Sequence, residues 1–158
     1  MPGSGKSTLG RRLAEKLSLP FIDLDAEIEK SEGIAVSDIF STKGEDYFRM
    51  KESESLQSFA GSSESFVMAT GGGAPCFFDG IHHMNTAGLT IFLDVPIAEL
   101  VRRLSSKKDR PLLLTAGVDE LTRRLEDLLA KRSMIYTKAS INVKQPNLQR
   151  ILEALKVG

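Results

Sequence analysis

Three stretches carry side chains whose types and spacing suit phosphate chemistry. The first is Gly3-Ser4-Gly5-Lys6-Ser7-Thr8. Glycines so placed let the backbone turn tightly and bring its N–H groups up to anionic oxygens. Lys6 can reach the β- and γ-phosphates of a nucleotide, and the Ser7 hydroxyl can ligate Mg2+. A helix following the loop presents its positive end to the same phosphates. The stretch is the back half of a G-x-x-x-x-G-K-[ST] phosphate-binding loop, and by that count the opening glycine belongs one position ahead of Met1. The second stretch is Asp23 and Asp25, at the end of the apolar run Pro20-Phe21-Ile22. If these residues continue a strand, a period of two puts both carboxylates on one face, at the strand end that carries the ligand in parallel sheets. One carboxylate near Ser7 would complete a Mg2+ site and the other would reach a substrate hydroxyl; the plain alternative is a strand-end acid pair in solvent or capping a helix. The third stretch is Thr70-Gly71-Gly72-Gly73, directly after Phe66-Val67-Met68-Ala69. Three glycines give up side-chain packing; a ligand lying on the backbone explains that, and so does a tight turn from strand to helix.

Arg49, Arg110 and Arg132 are candidates for anion contacts, because guanidinium groups suit carboxylates and phosphates. Taken singly, each also reads as a solvated surface charge, and periodicity alone does not bring them together. His82 and His83 are adjacent and share no helix face, and no ligand spacing surrounds them. Cys76, the single cysteine, reads as a small hydrophobe rather than a nucleophile.

These residues need a scaffold. The apolar periodicity predicts helices over 7–17, 26–32, from 36, 45–59, 77–86, 96–104, 119–138 and 147–157. Short apolar runs predict strands over 20–24, 66–69, 89–95 and 139–143. Gly33 is expected to stop the second helix, and Gly10 to mark close packing on the first. Residues 105–118 are polar and aperiodic, which predicts a mobile functional loop. Strands alternating with helices, with no hairpins, mean an α/β fold built on a parallel sheet. At 158 residues and 17.3 kDa the chain is expected to form one domain with its own core. Net charge is zero, so no basic footprint argues for nucleic acid. No apolar run is long enough to span a bilayer, no signal peptide is visible, and one cysteine fits a reducing cytoplasm.

In this order the motifs resemble the shikimate kinases. The likeness rests on Gly3-Ser4-Gly5-Lys6-Ser7-Thr8, Phe21-Ile22-Asp23-Leu24-Asp25, Phe48-Arg49 with Glu52 following, Ala69-Thr70-Gly71-Gly72-Gly73, Arg110-Pro111-Leu112-Leu113, and Arg132 ahead of Tyr136. It implies a monomeric cytoplasmic enzyme moving the γ-phosphoryl of ATP to the 3-hydroxyl of shikimate, on the route to chorismate and aromatic amino acids. By the same likeness Gly3 to Thr8 bind ATP, with Lys6 and Ser7 on phosphates and Mg2+ and Asp23 positioning the metal. Asp25 binds the shikimate hydroxyls and acts as base. Arg49 and Arg132 grip the shikimate carboxylate beside Gly71, Gly72 and Gly73, within a substrate-binding region over 24–60. Arg110 reaches the transferring phosphate from a lid over 105–118. Arg103, Gln145 and Pro146 resemble adenine-flanking positions, although the family usually has Asn where this chain has Gln145. Two other readings stay open: a kinase for another small polyol acid such as gluconate, and an inactive nucleotide-binding remnant.

The resemblance also implies a parallel sheet of order 2-3-1-4-5, from which the first strand is missing here. Its neighbours would be residues 66–69 and 89–93, left roughly 9–10 Å apart by its absence. Their unpaired backbone groups would cost about 1–3 kcal/mol each. The expectation is that the native protein begins several residues upstream with an apolar strand ending in glycine, and that the chain without it is unstable and a poor kinase.

Overall fold

The computed structural model describes residues 1–106 and 117–156. The chain divides into two compact units, one of Ser7–Thr90 and one of Met1–Lys6 with Ile91–Gly158.

In the Ser7–Thr90 unit, helix α1 (Lys6–Leu17) enters from the loop and buries Leu13 and Ala14. Gly10 lets Phe21 pack against this helix: a Cβ there would lie 2.9 Å from ring Cε2. Strand β1 (Phe21–Asp23) pairs in parallel with β2 (Val67–Ala69), Phe21 opposite Val67 and Asp23 opposite Ala69. Helix α2 (Leu24–Glu32) stops at Gly33, whose φ of 72° is left-handed and whose N–H bonds Glu29 O, as the sequence predicts. Helix α3 (Val36–Ala60) is broken at Gly44, φ 85° and ψ 171°, so the two expected helices meet there in a single run. Leu24, Ile28, Ile39, Phe48, Leu56 and Ala74 form the core between these elements. Glu32 fastens α2 to α3, accepting from Lys43 Nζ at 2.7 Å and Tyr47 Oη at 2.9 Å. Those two bonds, the lysine's first, lower the Glu32 pKa.

The helix expected over 77–86 starts later, as α4 (Gly80–Ala87). Ala74–Cys76 forms a single 3-10 turn, and Phe78 and Asp79 take φ of 49° and 54°. Two consecutive left-handed residues cannot continue a right-handed helix.

In the other unit, β3 (Ile91–Asp94) pairs in parallel with β4 (Ile141–Lys144). Helices α5 (Ile97–Ser105), α6 (Gly117–Tyr136) and α7 (Leu148–Lys156) complete it. Leu100, Leu104, Leu121, Leu125, Val143 and Ile151 are buried, and the Phe92 and Tyr136 rings stack 5.0 Å apart. Both strand pairs are parallel, and β1–β2 and β3–β4 are the partnerships that the order 2-3-1-4-5 gives these strands. Residues 107–116, which hold Arg110 and most of the expected lid, lie outside the described residues.

Candidate active site

The loop residues have the backbone that anion binding requires. Gly3 and Gly5 take φ of 72° and 90°, a region that L-residues with side chains rarely enter. A Cβ on Gly3 would also press on Leu104 Cγ at 3.0 Å. Ser4 is buried and donates through Oγ to Met1 O at 2.9 Å, and Lys6 Nζ donates to the same carbonyl at 3.0 Å. Arg103 reaches the loop as well, with Nη1 at 3.3 Å from both Gly3 O and Ser4 O. Its Nε is held on Glu99 Oε1 at 2.7 Å. Bonds from Arg102 and then Arg103 hold the Glu99 pKa down to about 2, so this clamp stays charged at neutral pH. Ser7 and Thr8 are exposed at the start of α1. Gln145 has a left-handed φ of 47° and donates its N–H to Asp94 O at 2.9 Å. Arg150 Nη1 fixes the Gln145 carbonyl at 3.2 Å, and Pro146 is buried.

The acid pair separates. Strand geometry ends at Asp23, which stands at the N-cap of α2, and Asp25 lies in the first helical turn. The expectation that a period of two aligns both carboxylates therefore fails, because the helix begins one residue after β1. Asp23 caps no backbone N–H of α2; its Oδ2 accepts instead from Ser7 Oγ at 2.7 Å. Two hard oxygens this close suit Mg2+. Asp25 faces the glycine run: a Cβ at Gly71 would lie 3.2 Å from Asp25 Oδ1 and would collide with Glu52 Oε1.

The glycine run also borders Arg49. A Cβ at Gly73 would fall 2.5 Å from Arg49 Cζ. Gly73 has an ordinary φ of −86° and Gly71 is not left-handed, so these two are glycine for want of space and not for backbone conformation. Arg49 is nearly buried, as is Glu52, and Arg49 Nη1 donates to Glu52 Oε2 at 2.7 Å. Breaking such a buried pair by removing one partner costs about 3–5 kcal/mol. The rings of Phe77, Phe48 and Phe40 surround the guanidinium, their centroids 4.8, 5.2 and 5.8 Å from Cζ. Glu45 Oε1 takes the remaining edge, accepting from Nη2 at 3.0 Å and Nε at 3.2 Å. Arg132 belongs to the other unit, on α6, where its Nη1 lies 3.5 Å from Tyr136 Oη.

Asp25, Arg49, Gly71 and Gly73 are thus brought to one place, as are Ser7 and Asp23. Sequence reasoning missed Glu45 and assigned Glu52 no role. Both stand at ion-pair spacing from Arg49, four residues before and three after, and that spacing was the available signal.

A phosphate loop opening a helix, parallel strands with helical crossovers, and one acid at a strand end with a second in the helix that follows define an α/β P-loop kinase. The family profile described as shikimate kinase matches residues 2–156. A shikimate kinase from Parabacteroides distasonis is 45% identical over 140 residues, covering 88% of this chain and 80% of that one. One from Phocaeicola vulgatus is 44% identical, covering 93% and 84%. Among solved structures, shikimate kinase from Bacteroides thetaiotaomicron superposes with a TM-score of 0.87 at 39% identity, covering 98% of this chain and 90% of that one. The Acinetobacter baumannii enzyme, solved in complex with shikimate, gives 0.82 at 34% identity, covering 99% and 86%. The chain belongs to the shikimate kinase family. Its reaction is the ATP-dependent phosphorylation of shikimate.

Proposed function

We propose that the residues divide this reaction as follows. Gly3 to Thr8 wrap the ATP phosphates, with Lys6 neutralising the β- and γ-groups. Arg103 steadies the loop, and with Gln145 and Pro146 it borders the adenine. Asp25 takes the acceptor hydroxyl. Arg49 and Arg132 receive the shikimate carboxylate, and Gly71, Gly72 and Gly73 let the ring lie close to the backbone. Arg110 meets the transferring phosphate from the segment between α5 and α6, the expected lid of 105–118 being shortened by the helices that take Ser105 at one end and Gly117 and Val118 at the other. The chain works as a single kinase domain, a monomer of the cytoplasm acting on small molecules, with no nucleic-acid or membrane partner.

The observation that carries this reading is the convergence of Asp25 and the Arg49–Glu52 pair on the Gly71–Gly73 backbone. A polyhydroxylated acid needs a group for its hydroxyls beside a group for its carboxylate. Phosphoryl transfer asks the protein for positioning and charge neutralisation rather than covalent chemistry. Ser7 and Asp23 would hold Mg2+, which when bound shares the phosphate charge and lowers the barrier to transfer.

A coupled ADP-release assay tests the whole reading: release should depend on shikimate, and shikimate-independent release alone would overturn it. In the same assay Asp23→Asn should raise the Mg2+ concentration needed for half-maximal rate, whereas Asp25→Asn should leave it in place. The reverse pattern would exchange the two acids.

The glycine run has its own test. Arg49 is pinned by Glu52 and cannot retreat from a new Cβ at Gly73. Gly73→Ala should lower kcat/KM for shikimate by about 10–10²-fold, the effect of misplacing a positioning group, with a smaller change in the KM for ATP. Unchanged kcat/KM would remove Arg49 from the acceptor site.

A further inference from the structure

We infer that Glu45 is an internal competitor for the substrate carboxylate, and so sets the affinity for the acceptor. The inference rests on the reading of Arg49 as a carboxylate ligand. The side chains of Glu52 and Glu45 both hold that guanidinium, but their surroundings differ. The Glu52 side chain is 2% exposed and that of Arg49 10%, so their bond is part of the buried frame. The Glu45 side chain is 55% exposed, so its charge can return to water without leaving a buried ion behind.

Glu45 also holds a two-donor edge of the guanidinium, and Nη2, one of its two donors, is among the atoms nearest the position of a Cβ on Gly73. Its Oε1 accepts from both Nε and Nη2 of Arg49, the side of the fork that pairs two N–H groups with one anion. A substrate carboxylate taking that edge must displace Glu45, and while Glu45 stays it meets a like charge. Glu45 follows directly on the break at Gly44, which makes it the first residue of a new helical stretch. Released from Arg49, it has the positive end of that helix beside it. Glu45 therefore guards the guanidinium in the absence of substrate and yields to a better-placed carboxylate.

Calorimetric titration of the full chain with shikimate, without nucleotide, tests this. Glu45→Gln should bind shikimate about 3–10-fold more tightly than the parent, the range expected for relieving a half-exposed charge pair. Removing any nearby negative charge favours an anion, so Asp46→Asn is the control. Asp46 is the next residue, is exposed, and makes the same change in net charge. A gain confined to Glu45→Gln supports the inference. An equal gain in both variants, or none in Glu45→Gln, overturns it. Arg49→Lys keeps the positive charge but removes the fork. If Arg49 receives the carboxylate, this variant binds shikimate more weakly, and adding Glu45→Gln to it gives no further gain. If Arg49→Lys binds shikimate as the parent does, the underlying assignment of Arg49 fails instead, and the two failures are told apart.

Discussion

Lys6→Met lowers turnover by about 10²–10³-fold, the loss expected when one preorganised charge-stabilising group is removed from a phosphoryl site. The variant keeps the aliphatic stem and removes only the ammonium. The loop around it does not depend on that group. Gly3 and Gly5 already hold their left-handed φ, Ser4 is tied to Met1 O, and Arg103 braces Gly3 O and Ser4 O. What is lost is a point charge, which here donates to Met1 O at 3.0 Å and which a phosphate oxygen would engage more strongly than a neutral carbonyl does. Most of the loss should appear in kcat, since the charge matters most where negative charge moves toward the leaving group. Steady-state kinetics with ATP and shikimate varied in turn measure this. A methionine variant keeping more than a tenth of parental turnover would mean that the loop backbone and the metal neutralise the phosphates without Lys6.

How much of this could be read from the chain depended on how local each signal was. The stop at Gly33 was legible because one residue's φ decides it, and Gly10 because a missing side chain in a helix asks for a neighbour. The loop at Gly3 and Gly5 was legible for the same reason. The break at Gly44 appeared only as a gap between two expected helices. The positive φ of Phe78 and Asp79 was not legible, since Phe rarely enters that region and the enrichment of Asp there is too weak to mark a single position. Glu52 shows the harder limit. A glutamate on a helix reads as solvated, and only the packing of β2, α3 and the glycine run makes it a buried partner of Arg49. The reason for Gly71 and Gly73 was equally hidden, because the atoms that exclude a Cβ come from Asp25, Arg49 and Glu52, far from the run in sequence. Asp25 was singled out on the wrong geometry: the sequence pattern extended β1 past Asp23, and the helix dipole favours an acid in the first turn of α2 just as well.

That geometry gives Asp25 its expected effect. Asp25→Asn should reduce turnover by about 10²–10⁴-fold if the carboxylate removes the proton of the attacking hydroxyl. Asparagine keeps the size and one oxygen acceptor but loses the charge and the basicity and gains an N–H donor, so folding of the variant is checked by its thermal melt. The first turn of α2 fixes the side chain, and Gly71, having no Cβ, leaves space 3.2 Å from Oδ1 where a larger residue would intrude. Glu52 lies beside the same glycine through Oε1 and accepts from Arg49 Nη1 through Oε2, so Glu52→Gln is the companion variant that shows whether it contributes to the base. The distinction between base and orienting group lies in how the loss is divided. A base acts only as the hydroxyl attacks, so kcat falls while the affinity for shikimate stays near the parental value. A group that merely orients the hydroxyl binds ground state and transition state alike, so the loss is smaller and appears largely as a raised KM. Asp25→Glu adds a second check, because it restores a carboxylate at the wrong reach and should recover only part of the rate. An asparagine variant with near-parental kcat and KM would exclude Asp25 from the chemistry and leave the acceptor hydroxyl to be activated by the departing phosphate itself.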